Sequence, residues 1–154
     1  MGASGWDYVT PYGGSVEATL EALHDQVFRE LYGGGEEYGS RAELYADEEF
    51  MEEEGTHSIL DVRRVAGKPG AAKRLTLRPL PAARLVHHFG TDRPSVRQYE
   101  DAMARAHEVL EAGRPADEGT TLLGEHRTSW TGVYVVLHAD GRPTHVGFFG
   151  SSGD

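Results

Sequence analysis

The stretch "EEGTHSILDVRRV", residues 53–65, is the part of the chain whose residue types most suggest a reactive cluster. It contains His57, Ser58 and Asp61, the residue types of a nucleophilic triad, in which a serine hydroxyl lies about 2.6–3.2 Å from an imidazole. The alternation of apolar residues from Thr56 onward predicts a β-strand. Neighbouring strand residues point to opposite faces, and residues four apart are separated by roughly 13 Å. The predicted strand therefore excludes a triad made of these three side chains.

A second hypothesis for the same stretch is an anion-binding face. His57 is its candidate catalytic residue, because a reference pKa of about 6.5 suits a general acid or base. The segment "RLTLRPL", residues 74–80, is predicted as a second strand that pairs with the first through their leucine-bearing faces. One side of the sheet then carries His57 and Asp61 together with Arg63, Arg74 and Arg78. The alternative is a solvent-facing sheet surface neutralised by the acidic part of the chain.

A further candidate cation precedes a predicted helix. In "FGTDRPS", residues 89–95, Arg93 stands two residues before a serine that is suited to cap a helix. An anion at that position would meet backbone N–H groups and a guanidinium together. The alternative is a plain turn. The candidate ligand-binding residues are therefore Arg63, Arg74, Arg78 and Arg93.

An acidic tract and two aromatic residues form a candidate surface for a partner protein. The tract contributes Asp47, Glu48, Glu49, Glu52, Glu53 and Glu54. Trp130 and Tyr134 would add large, rigid contacts if they were exposed. The alternatives are a solvated acidic surface and ordinary core packing.

The sequence predicts no metal site and no cofactor. The chain has no cysteine and no H-E-x-x-H motif. His87 and His88 are neighbours on a predicted helix, so their side chains diverge by about 100°. His138 and His145 lack further nearby ligands in the sequence.

Net charge excludes two classes of partner. The 154 residues carry a net charge of −10, but residues 61–97 hold nine basic and only two acidic residues. An acidic protein is repelled by nucleic acid and by anionic membrane surfaces. The sequence shows no signal peptide and no run of about 18 apolar residues, which predicts a cytoplasmic protein. The basic middle segment would either bind a small anion or neutralise the acidic first third of the chain.

The elements that position these residues follow from periodicity and capping. Helices are predicted after Ser15, Ser40 and Ser95 and over residues 81–89, with Pro81 in the first turn. Strands are predicted at residues 6–9, 56–65, 74–80, 130–138 and 143–149. Residues 114–129 are predicted as an irregular loop. These elements favour one α+β domain spanning residues 1–154, with an antiparallel or mixed sheet, helices packed on one face and a C-terminal β-hairpin.

The hairpin is predicted to turn at Asp140-Gly141, a strong two-residue turn signal. Simple alternation from that turn then assigns the side chains of its two strands to two faces. The core face is predicted to hold Val133, Val135, Leu137, Val146 and Phe148. The opposite face is predicted to hold Trp130, Tyr134, Val136, His138 and His145.

Five blocks carry a resemblance to a known group of proteins: "GWDYVTPY", "GTHSILDV", "HHFGTDRPS", "WTGVYVVL" and "FFGSSGD". Through these blocks, which extend from residue 5 to residue 154, the chain resembles small uncharacterised proteins of actinomycete type. The resemblance implies a soluble bacterial protein folded as one integral domain. It implies no particular activity.

The sequence leaves two functional hypotheses open, and with them the question of catalysis. The first is a non-catalytic binding or accessory protein, of immunity or regulatory type, whose acidic region engages a basic protein partner. The second is a small enzyme or ligand-binding domain for a phosphorylated or carboxylated small molecule, using the histidine and arginine face. The absence of an intact catalytic motif favours the first hypothesis.

Overall fold

The computed structural model describes residues 2–113 and 121–154. Its centre is a five-stranded mixed sheet with the strand order β1-β5-β4-β3-β2. The strands are β1 (Ser4–Pro11), β2 (Arg64–Val65), β3 (Thr76–Pro79), β4 (Thr131–Ala139) and β5 (Arg142–Ser152). Strand β5 runs antiparallel to both β1 and β4, whereas β2, β3 and β4 run parallel to one another. The predicted α+β class, mixed sheet and C-terminal hairpin are confirmed.

Five α-helices are present in the described ranges. They are α1 (Val16–Tyr32), α2 (Arg41–Ala46), α3 (Glu48–Glu53), α4 (Ala82–Phe89) and α5 (Val96–Glu111). Ser95 caps α5 with a complete capping box, in which Gln98 returns a hydrogen bond to the Ser95 backbone N–H. The single helix predicted after Ser40 is two short helices, because Asp47 ends α2 and caps α3. None of the helices in the described ranges combines the length and apolar character needed to cross a bilayer.

The helices cover both faces of the sheet rather than one. Helices α1, α2 and α3 pack on the face that carries Trp6, Tyr134 and Phe148. Helices α4 and α5 pack on the face that carries Val133, Val135, Leu137 and Phe149. Both faces of β4 are therefore buried, which explains why its sequence is apolar at nearly every position.

The hairpin has the predicted turn but a different register. Asp140 and Gly141 both have positive φ, as a type I′ turn requires. A β-bulge then follows, since His138 pairs with Pro143 whereas Leu137 pairs with His145. The extra residue in β5 moves Val146 and Phe148 to the face of Tyr134 and Val136. The prediction that they share a face with Val133 was wrong for this reason.

The strand predicted over residues 56–65 is also wrong in most of its length. Residues 59–61 form a 3₁₀ helix capped by the Ser58 hydroxyl, and only Arg64 and Val65 are in a strand. Gly55 and His57 have φ values of 74° and 55°, which turns the chain back on itself before the 3₁₀ helix. In the predicted loop, residues 121–129 include a second 3₁₀ helix at Leu122–Glu125, and residues 114–120 lie outside the described ranges.

Candidate functional site

A cleft of about 490 Å³ opens where the amino ends of β2, β3 and β4 face helices α2 and α3. Three residues that immediately precede these strands form one wall, and backbone hydrogen bonds join them in a row. Arg63 N donates to Leu75 O at 3.0 Å, and Leu75 N donates to Trp130 O at 2.6 Å. The lining consists of Tyr45, Glu48, Met51, Glu52, Asp61, Arg63, Arg74, Leu75 and Trp130.

Two arginines that line the cleft are stacked on aromatic rings. The guanidinium carbon of Arg63 lies 4.5 Å from the ring centre of Tyr45, and that of Arg74 lies 4.7 Å from the ring of Trp130. Within the described part of the chain, no carboxylate stands within 4 Å of either guanidinium. Stacking of this kind restrains the guanidinium plane and leaves its N–H groups free to bind in that plane.

Tyr45 remains a neutral phenol beneath Arg63. Burial raises the pKa of its hydroxyl to about 12, against the lowering effect of the nearby Arg41 and Arg63. The hydroxyl donates a hydrogen bond to Leu60 O at 2.9 Å, which fixes the position of the ring. Tyr45 therefore supplies an aromatic platform and no charge.

The floor of the cleft is the buried carboxylate of Asp61. Its Oδ1 accepts hydrogen bonds from Thr56 N at 2.7 Å and from Thr56 Oγ1 at 2.8 Å, and its Oδ2 accepts one from His57 N at 3.1 Å. The side chain has no solvent-exposed surface. Three donors to one buried carboxylate replace the water that it loses on folding. Asp61 thus organises the turn of residues 55–61 beneath the cleft, with both of its oxygens occupied by these donors.

Backbone strain is concentrated around this cleft. Four non-glycine residues in the described ranges have positive φ: His57, Leu75, Trp130 and Asp140. Asp140 belongs to the hairpin turn, whereas Leu75 and Trp130 line the cleft and His57 adjoins Asp61. Positive φ is unfavourable for residues as bulky as these, and such outliers cluster at functional sites. Leu75 and Trp130 make the cleft the candidate functional site.

His57, the candidate catalytic residue, does not line the cleft. Its Nδ1 shares a hydrogen bond of 2.9 Å with Ser4 Oγ at the start of β1, and its ring packs against Gly153. Asp61 binds the backbone N–H of His57 rather than its ring. The sheet face on which His57 was expected to join the arginines does not exist, because residues 56–61 are a turn and a 3₁₀ helix.

The four candidate ligand-binding arginines separate into a pair and two others. Arg63 and Arg74 share the cleft, as described above. Arg78 donates to Glu125 O at 2.6 Å and lines a different cleft, of about 510 Å³, with Lys68 and Lys73. Arg93 is exposed in the turn before α5, where its backbone N–H donates to Thr91 Oγ1.

The acidic tract is divided between two sides of α3. Glu48 and Glu52 face the cleft. Asp47 accepts a hydrogen bond from the Tyr38 hydroxyl at 2.7 Å and caps α3. A separate groove of about 310 Å³ is lined by Asp47, Glu49, Phe50, Glu53 and Glu54.

The two aromatic residues proposed for partner contact are both buried. Trp130 is 6% exposed and lies beneath Arg74 in the cleft. Tyr134 is 8% exposed, and its hydroxyl donates to Ala66 O at 3.1 Å. Neither offers the exposed aromatic surface on which the partner hypothesis relied.

Sequence reasoning missed Tyr45, Met51 and Leu75 as cleft residues. Met51 is 6% exposed and is the buried residue of α3, so its side chain lines the cleft from the core side of that helix. Tyr45 and Leu75 gave no local signal, because folding brings them to the cleft from α2 and from the start of β3.

His126 and Ser151 form a hydrogen-bonded pair of polar side chains outside the cleft. His126 Nε2 is 2.8 Å from Ser151 Oγ. Burial, and secondarily the charge of Arg78, lowers the pKa of His126 to about 4, so the imidazole is neutral near pH 7. In the described ranges, no three histidine, aspartate or glutamate side chains are grouped closely enough to hold a metal ion.

Comparison of the chain with protein-family models, with curated proteins and with solved structures finds no match. A functional assignment therefore depends on the chemistry of the cleft itself.

Proposed function

We propose that the protein binds a small carboxylated or phosphorylated molecule in the cleft, through Arg63 and Arg74. The observation that carries this proposal is the pair of stacked guanidinium groups, neither of which has a carboxylate within 4 Å among the described residues. A guanidinium matches a carboxylate or phosphate through two parallel N–H···O bonds.

Three further features of the cleft support this proposal. Its volume of about 490 Å³ is in the range of small-molecule sites, roughly 300–1,000 Å³. The aromatic platforms reduce the number of positions that each arginine side chain adopts before binding, which lowers the entropy cost of capturing an anion. The strained backbone at Leu75 and Trp130 places both residues in the wall that carries the arginines.

The proposal is one of binding rather than of catalysis. His57, the histidine first considered as a proton donor or acceptor, is hydrogen-bonded to Ser4 and is not among the residues that line the cleft. The two arginines supply planar positive charges for binding.

Calorimetric titration with benzoate and with phenyl phosphate tests this function. Arg63→Gln and Arg74→Gln should each weaken binding by about 10- to 100-fold, since a hydrogen bond to a charged group contributes roughly 1.5–3 kcal/mol. Arg93→Gln is the matched control, because Arg93 is exposed and lies outside the cleft. Equal losses in all three variants, or no loss in the first two, would contradict the proposal.

A second candidate function is favoured by the groove on the other side of α3. There the partly buried ring of Phe50 is surrounded by Asp47, Glu49, Glu53 and Glu54, which would suit a basic protein segment with one apolar residue. A lysine-rich peptide with a central leucine should bind at low salt and lose affinity in a Glu49→Lys/Glu53→Lys variant. Glu48→Lys/Glu52→Lys, on the cleft side of α3, is its control; equal losses in both variants would reject the groove as the binding surface.

A further inference from the structure

The cleft is lined by unpaired charges of both signs, carried by α3 and by the residues that precede β2 and β3. Glu48 and Glu52 are four residues apart on α3, so they lie on one face of that helix, with Met51 between them. Both glutamates are exposed. No basic group of the described residues stands within 4 Å of either carboxylate.

These glutamates do not neutralise the arginines directly. Arg63 and Arg74 line the same cleft, yet no ion pair joins them to Glu48 or Glu52. A ligand that is only anionic would be attracted by the guanidinium groups but repelled by the carboxylates. A ligand that is only cationic would be attracted by the carboxylates but repelled by the guanidinium groups. A ligand that carries both charges avoids both penalties.

Apolar groups line the same cleft as the charges of both signs. Met51 and Trp130 are each 6% exposed, and Leu75 is partly buried beside them. Such a surface favours an apolar or aromatic substituent on the ligand, because burying it removes apolar area from water. The cleft thus offers three kinds of contact: basic, acidic and apolar.

We propose that the ligand is a zwitterion of the amino-acid type, with a large apolar side chain. Its carboxylate meets Arg63 and Arg74, its ammonium meets Glu48 and Glu52, and its side chain lies on Met51, Leu75 and Trp130. This assignment rests on the proposed anion-binding function of the cleft and adds the requirement for a positive charge.

Calorimetric titration with three matched compounds tests the requirement. L-phenylalanine carries both charges, N-acetyl-L-phenylalanine carries only the carboxylate, and L-phenylalaninamide carries only the ammonium. L-phenylalanine should bind about tenfold or more tightly than either of the others, because each of them lacks one charge-assisted contact.

Two double variants test whether Glu48 and Glu52 cause the preference for L-phenylalanine. Glu48→Gln/Glu52→Gln should weaken binding of L-phenylalanine and should not weaken binding of N-acetyl-L-phenylalanine, so that the preference disappears. Glu49→Gln/Glu53→Gln, on the other side of α3, should leave it unchanged. The glutamates of both variants are exposed, so the substitutions leave the core intact.

The outcomes separate this inference from the function on which it rests. If N-acetyl-L-phenylalanine binds as tightly as L-phenylalanine, and both depend on Arg63 and Arg74, the zwitterion is rejected and the anion site stands. If L-phenylalaninamide binds most tightly, or if no compound depends on the arginines, both proposals are contradicted.

Discussion

Replacement of Gly55 by alanine tests how closely the floor of the cleft is packed. Gly55 is buried and has φ of 74°, and a Cβ atom built there would lie 2.5 Å from Trp130 Cη2 and 3.0 Å from Asp61 Oδ2. Real Cβ atoms do not approach other atoms so closely, so the indole ring would have to move. The ring is buried and lies beneath Arg74, which leaves it little room.

The loss of stability in Gly55→Ala has two parts, one from the backbone conformation and one from the steric clash. A second glycine allows the two to be measured separately. Gly90 has φ of 75°, and a Cβ built there meets nothing within 4 Å. Gly90→Ala should therefore lower the free energy of unfolding by the backbone term alone, roughly 1–2 kcal/mol. Gly55→Ala should incur the same term and a further ~1–3 kcal/mol for forcing a group into a filled space.

Urea denaturation of both variants measures the difference. Gly55→Ala should have the lower midpoint with an unchanged dependence on denaturant, and it should also weaken anion binding, because displacement of Trp130 moves the platform of Arg74. Equal midpoints for the two variants would refute the packing described for Gly55. Within a Trp130→Phe background, the excess cost should shrink, since a phenyl ring lacks the second ring that Gly55 faces.

Two other predictions concern pH and capping. The lowered pKa of His126, about 4 against 6.5 for the unperturbed group, means that the unfolded chain binds a proton more readily than the folded chain. The free energy of unfolding should therefore fall as pH decreases from about 6.5 towards 4, by up to ~1.4 kcal/mol per pH unit for this group. Urea denaturation across that range should show a smaller fall for His126→Gln, and an identical fall would contradict the role of His126. Ser95→Ala removes the hydroxyl that accepts from Gln98 N at 3.1 Å and should lower the free energy of unfolding by about 1 kcal/mol. An unchanged urea midpoint would show that this cap contributes nothing.

The sequence predicted correctly those elements whose boundaries are set by neighbouring residues. Helix α5 begins after Ser95 because of its capping box, and the hairpin turns at Asp140 because the next residue is glycine. The bulge in β5 was not predictable in this way. A single extra residue moves every later side chain of the strand to the opposite face of the sheet. Because both faces of β4 are buried, the apolar residues of β5 find an apolar partner in either register.

The turn at residues 55–61 shows a second limit of prediction from the sequence. Its residues alternate as in a strand, yet its shape depends on hydrogen bonds from Thr56 and His57 to the buried Asp61 carboxylate. Sequence reasoning grouped Arg63 and Arg74 as ligand-binding residues, and the structure does bring them together. They meet at the amino ends of the strands rather than on a face of the sheet. Helix α2, which supplies Tyr45, and helix α3, which supplies the glutamates, reach the cleft only through tertiary packing.

Titration of the two indole N–H signals with phenyl phosphate, followed by ¹H–¹⁵N NMR, tests the central claim most directly. The chain has two tryptophans. Trp130 lines the cleft, whereas Trp6 donates its indole N–H to Ser152 Oγ at 3.0 Å in the core. The Trp130 signal should shift and saturate, the Trp6 signal should stay in place, and Arg74→Gln should raise the concentration of phenyl phosphate at half of the shift by about 10- to 100-fold. A Trp130 signal that does not move, or that moves over the same phenyl phosphate concentrations in Arg74→Gln, would contradict an anion-binding cleft at this position.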